Sequence, residues 1–287
     1  MSLVEIVTHQ TNSIKRQVGR RRDVFIWAAV ILCSNQLFGV VVQSRSGPLE
    51  ALVSDAAAIG IFQCMAWYVI FRLLIASDAT AAARWRDVMI AVALSLFAFL
   101  PTSRMIWVAA SGVAIYLGIF NGGDAKLRAA AIVLGGLSVQ EFWGHVFFSL
   151  VALPLLRAET AVVGLILEAA RPGTVWQDNV ITGPNGYGIL VYGPCSSFHN
   201  LSLAILCWLT VSKLRHQSWR SRDLVMGVAV GATMILLNLA RLCLMAWNID
   251  LYHYLHDGPG AELFAVGVSL MILMMSLYGA APAKRLG

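Results

Sequence analysis

Three positions in this chain set a reactive side chain in an unusual place. Cys195 stands in Gly193-Pro194-Cys195-Ser196-Ser197, just before an apolar run, whereas Cys33, Cys64, Cys207 and Cys243 lie inside apolar segments. A thiol inside an apolar helix behaves as a small hydrophobe. One at a helix N-terminus with partial access to water is biased toward the thiolate, the nucleophilic form. Arg241 interrupts the apolar stretch Leu224–Trp247, where a guanidinium is costly and by default marks a functional site. Asn238 comes three residues earlier, on the same helical face, placed to orient that guanidinium. His253, His256 and Asp257 follow in the connection Asn248–Gly260. An imidazole beside a carboxylate can hold one tautomer and move protons near neutral pH. Together these groups suit acyl transfer. A histidine-activated thiolate attacks a peptide carbonyl, an arginine stabilises the oxyanion, and the thioester passes to water or an amine.

The elements that must carry these residues follow from composition. Of 287 residues, 59% are hydrophobic and 13% charged, about half the charge of an ordinary soluble domain. That excludes a soluble globular protein, a disordered chain and a disulfide scaffold, and the odd number of cysteines excludes complete pairing. Runs of about 20 apolar residues span a bilayer. The sequence predicts an all-α polytopic helix bundle of about eight spans: Val24–Val42, Ala51–Ala76, Val88–Leu100, Met105–Phe120, Ala129–Leu153, Ser196–Val211, Leu224–Trp247 and Glu262–Ala281. Pro101, Ser103 and Arg104 mark a tight turn between the third and fourth.

The basic clusters set the expected orientation. Lys15, Arg16 and Arg20–Arg22, then Arg84 and Arg86, then Lys126 and Arg128, then Lys213, Arg215, Arg220 and Arg222 fall on one side, which the positive-inside rule makes cytoplasmic. Both termini are then cytoplasmic, and Cys195, Arg241 and His256 share the external side. Parity requires the ten-residue patch Ala161–Ala170 not to cross, and it reads as an external amphipathic or re-entrant helix. No cleavage site follows the first span, so the N-terminus reads as an anchor and not as a signal peptide. Residues 1–23 form a basic cytoplasmic segment and residues 24–287 one polytopic domain. Between Arg171 and Pro194 two β-rich runs, Val175–Thr182 and Tyr187–Tyr192, flank Gly183-Pro184-Asn185-Gly186 and predict a small external hairpin before the sixth helix.

The motifs Cys195-Ser196-Ser197, Asn238-Leu239-Ala240-Arg241 and His256-Asp257-Gly258-Pro259-Gly260 resemble, in order and spacing, those of the exosortase/archaeosortase family of membrane cysteine transpeptidases. The resemblance centres on residues 150–265. It implies Cys195 as nucleophile, Arg241 as transition-state stabiliser and His256 as acid/base, with Asn238, Asp257 and Ser196 supporting them, and no metal or other cofactor. Ser197 departs from the glycine common in the family. The implied partners are secreted proteins carrying a Pro-Glu-Pro-like motif, a transmembrane helix and a basic tail. They would be cut at the external face of a bacterial inner membrane, without nucleic acid.

Other polar residues read more plainly. His253 reads as a loop histidine, and His199, on the helical face of Cys195, as a packing residue. Glu141 and His145, four apart in the fifth span, pair inside the bundle. A metalloprotease reading lacks a His-Glu-x-x-His motif. The alternative from another class is a transporter or a non-catalytic component of envelope polysaccharide export, with Arg241 and Glu141 lining a path; the chain lacks paired broken spans.

Overall fold

The computed structural model describes residues 19–44, 60–78, 82–100 and 104–281. Lys15, Arg16, Pro101, Ser103 and the N-terminal part of the second expected span lie outside them. The described chain is overwhelmingly helical, and its only strands are three short ones. In order the elements are α1 (Arg21–Ser44), α2 (Ile61–Ile75), α3 (Trp85–Ala98), α4 (Met105–Ile119), α5 (Ala125–Ser138), a π-helical turn (Val139–Trp143) and α6 (Gly144–Ala170). Then come β1 (Val175–Gln177), β2 (Val180–Thr182), β3 (Gly188–Leu190), a 3-10 turn (Gly193–Cys195), α7 (Ser197–Arg215), α8 (Ser221–Trp247), α9 (Ile249–His256) and α10 (Pro259–Gly279). Among the described residues, Ala125–Ala170, α8 and α10 are long and apolar enough to cross a membrane, and α2 and α4 are shorter apolar helices. The protein is a helical membrane protein. Large apolar side chains such as Leu150 and Val228 stand 78% and 73% exposed, a surface that suits acyl chains and not water.

The described residues fall into two compact units, one running up to Ser138 and including 216–218, the other 139–215 and from 219 onward. In the first, α4 and α5 pack closely against each other, and a Cβ on Gly135 of α5 would lie 3.8 Å from Ala114 of α4. Close backbone approach of this kind is how helices associate where lipid removes the hydrophobic drive. One end of this unit is tied by Asp87, which is 1% exposed. It receives Arg21 Nε at 3.0 Å, the Tyr116 hydroxyl at 2.8 Å and the Arg84 amide at 2.8 Å. A buried carboxylate needs that many donors.

The second unit holds the residues singled out for chemistry. α7 and α8 pack together, α10 packs on both, and α9 sits on α8 and α10. Three findings differ from the sequence expectation. The patch Ala161–Ala170 is no separate helix. It is the C-terminal third of α6, whose 27 residues reach about 40 Å, more than the hydrocarbon layer needs. The expected two-stranded hairpin is a three-stranded antiparallel sheet, β1-β2-β3, with Trp176 opposite Ile181 and Ile181 opposite Ile189. The run Val175–Thr182 folds back on itself at Asp178, whose φ of 53° is left-handed, a conformation that Asp and Asn tolerate better than most residues. Finally, the connection Asn248–Gly260 contains the two-turn helix α9. Asn248 caps it by accepting from the Leu251 amide at 2.7 Å, as capping by Asn predicts.

The sheet is fixed to α6 through a glycine. A Cβ on Gly164 would fall 2.4 Å from the Trp176 ring, so only glycine lets β1 lie against the helix. We expect Gly164→Ala to lower stability in detergent by about 1–3 kcal/mol, the usual cost of overpacking. Gly267→Ala on α10, where a Cβ would meet nothing within 4 Å, should be neutral or slightly stabilising. Thermal melts of the two variants check the difference.

Candidate active site

Cys195 ends the 3-10 turn that Gly193 and Pro194 begin, with its amide donating to Tyr192 O at 2.9 Å. Ser196 then turns extended, at ψ 144°, before α7 starts. The thiol lies in an apolar core with Leu156 and Val163 of α6, Ile181 and Ile189 of the sheet, and Leu242 and Met245 of α8. Cys195 is 7% exposed and Ser196 is fully buried. The sequence expectation of a water-accessible thiol at a helix N-terminus is therefore corrected. The α7 N-terminus is occupied by Glu159 of α6, whose Oε1 accepts from the Ser197 amide at 2.8 Å. Burial pushes the Cys195 thiol above its ordinary range, and the Arg241 charge and a side-chain hydrogen bond to Tyr192 draw it part of the way back.

Asn238 of α8 holds the cysteine turn. Its amide donates to Cys195 O at 2.8 Å and to Ser197 Oγ at 3.1 Å, while its own oxygen accepts from Asn200 at 3.5 Å. The sequence suggested that Asn238 orients Arg241; its partners are instead the backbone and neighbour of the cysteine. Leaving these groups unpaired in an apolar core would cost on the order of 1–3 kcal/mol each.

Arg241 lies one turn further along α8. Its Nε and Nη2 donate to Leu255 O at 3.2 and 2.6 Å, and its guanidinium stacks over Phe264 at 5.2 Å. A helix C-terminus leaves carbonyls unsatisfied and carries partial negative charge. Arg241 thus caps α9, which explains how a cation is tolerated near the end of an apolar helix.

His256, the last residue of α9, is held from three sides. Nδ1 is 2.6 Å from Asp257 Oδ1, Nε2 is 3.0 Å from the Tyr192 hydroxyl, and the Tyr252 ring stacks on the imidazole at 4.8 Å and 10°. His253, read from the sequence as a loop residue, is helical and points outward at 65% exposure, 3.9 Å from Asp257. The side chain of His199 lies outside what the structure describes. Gly260 closes the motif for a steric reason, since a Cβ there would fall 2.4 Å from the Tyr254 ring.

The fold thus gathers Cys195, Asn238, Arg241, His256 and Asp257 around the junction of the sheet, α8 and α9. Sequence reasoning missed Tyr192, Tyr252 and Glu159. Tyr252 stands four residues before His256, so helical spacing would have found it had α9 been recognised. Tyr192 looks like one more aromatic at the end of a strand, and nothing local marks Glu159.

The electrostatics give a direct expectation. Because Arg241 lowers the thiol, Arg241→Gln should move the pH midpoint of Cys195 alkylation upward, and Arg241→Lys should restore most of the shift. Peptide-resolved mass spectrometry across pH checks both. Comparison with known proteins gives one finding: residues 36–275 match the family model for transmembrane exosortases. The curated proteins and the solved structures give no match. With most of its length covered by that model, the chain belongs to the transmembrane exosortase family.

Proposed function

We propose that this protein is a membrane-embedded cysteine transpeptidase or protease that removes C-terminal sorting signals from secreted proteins through a thioester on Cys195. Family membership supports a membrane transpeptidase and sorting role. The observation that carries the finer reading is that Asn238, three residues before Arg241 on α8, holds the Cys195 turn, while His256 bonds Tyr192, three residues before Cys195. In this reading Cys195 attacks the scissile carbonyl and His256 takes and returns the proton. Arg241 has N–H groups left after the two given to Leu255 O, and these meet the developing oxyanion. Asn238 and Ser196 hold the turn, and Asp257 fixes the imidazole. The site faces the exterior of the inner membrane, with eight spans and both termini cytoplasmic. The substrate carries a Pro-Glu-Pro-like motif, a membrane helix and a basic tail, which reaches the clustered cations' side of the membrane.

Two substitutions test this. Cys195→Ala should abolish processing of a co-expressed substrate, and Arg241→Ala should lower it by about 10²–10³-fold, the usual loss of an oxyanion donor. Both should leave membrane insertion intact on fractionation. Normal processing by Cys195→Ala membranes would overturn the reading.

A further inference from the structure

The imidazole and the thiol share a partner. The Tyr192 hydroxyl is 3.0 Å from His256 Nε2; Tyr192 stands three residues before the cysteine in the same turn, and the Cys195 thiol is the group that acts most strongly on it. Resting on the reading of Cys195 as nucleophile, we propose that Tyr192 is a further catalytic residue, whose hydroxyl relays the thiol proton to His256.

Geometry assigns the direction of transfer. His256 Nδ1 lies 2.6 Å from the Asp257 carboxylate, so that nitrogen carries the hydrogen in the neutral ring and Nε2 is left as an acceptor. The acceptor points at the Tyr192 oxygen. Tyr252, stacked at 10° on the imidazole, keeps the ring in the plane that aims it there. Tyr192 and Cys195 are fixed to each other by the turn itself, since the Cys195 amide donates to the Tyr192 carbonyl at 2.9 Å.

The step balances without a co-reactant. As Sγ attacks the scissile carbonyl carbon, its proton passes to Tyr192 Oη and the hydroxyl proton passes to His256 Nε2. The tyrosine ends neutral and the imidazole becomes imidazolium beside Asp257. When the amide C–N bond breaks, Tyr192 Oη gives its proton to the leaving nitrogen and takes one back from His256 Nε2, giving the thioester, a free amine and the neutral imidazole. A tyrosine can do this because it donates and accepts at once. The nearby thiol and burial push its own ionisation upward, so it stays a neutral hydroxyl at working pH. The charged groups acting on the thiol are Arg241 from α8, which favours the thiolate, and Asp257 beyond α9, which disfavours it; the relay supplies a base despite that burial.

The experiment uses full-length protein in nanodiscs with peptide-resolved alkylation of Cys195 between pH 6 and 10, alongside processing of a co-expressed substrate. Tyr192→Phe should raise the alkylation midpoint and slow processing by about 10²-fold or more, the range of general acid–base catalysis. His256→Ala should do the same, and the double variant should be no worse than the more impaired single. A difluorotyrosine at 192 keeps the shape of the ring but donates more strongly, and it should lower the midpoint, a shift that a purely structural tyrosine would not produce. A wild-type midpoint and rate in Tyr192→Phe, with His256→Ala impaired, would overturn the relay and leave the cysteine reading standing. Processing that survives Cys195→Ala would instead remove the reading on which the relay rests.

Discussion

The site depends on one buried hydrogen-bonded pair, the Asn238 amide against the carbonyl of Cys195 and the hydroxyl of Ser197. Asn238 is 1% exposed. There a hydrogen bond is electrostatically strong and an unmade one is expensive. That cost locks the cysteine turn to α8. Arg241 is on the same helix three residues later, so fixing the turn to Asn238 also fixes the thiol relative to the guanidinium.

The second constraint is what a helix end offers inside an apolar protein. α9 is only two turns long, yet its Leu255 carbonyl accepts two hydrogen bonds from Arg241 and its final residue is His256. The same short helix therefore holds the guanidinium and presents the imidazole. Tyr192, Tyr252 and Asp257 then leave the ring almost no freedom. A chain with 13% charged residues spends several of them in this one place, and each is matched by a specific partner.

Much of this was legible in the sequence because its signals are strong ones. A hydrophobic excess of this size fixes the helical membrane class, and the three ordered motifs point to the family that the match over residues 36–275 shows. What stayed hidden depends on tertiary packing or on short elements. α9 is too short and mixed to give a clear period. The Asp178 turn falls inside a run that looks like one strand, although Asp-Asn is itself a turn signal. Ala161–Ala170 reads as a separate element only because Arg157 and Glu159 interrupt the apolar pattern. In the structure Arg157 reaches Asp178 at 2.7 Å and Glu159 turns inward to cap α7, so neither charge breaks the helix. Spacing alone ties Asn238 to Arg241, but its partners come from the turn before a different helix, which no local pattern encodes.

The central claim is that substrate is carried on Cys195 as a thioester, and interception of that bond tests it most directly. Purified protein is incubated with substrate in neutral hydroxylamine, and the cleaved substrate's new C-terminus and the Cys195 peptide are weighed by mass spectrometry. The account predicts a hydroxamate at the new C-terminus, and without hydroxylamine an adduct on Cys195 equal to the substrate fragment less one water. Cleavage at an unchanged rate to the free carboxylate alone, with no hydroxamate and no Cys195 adduct, would contradict it.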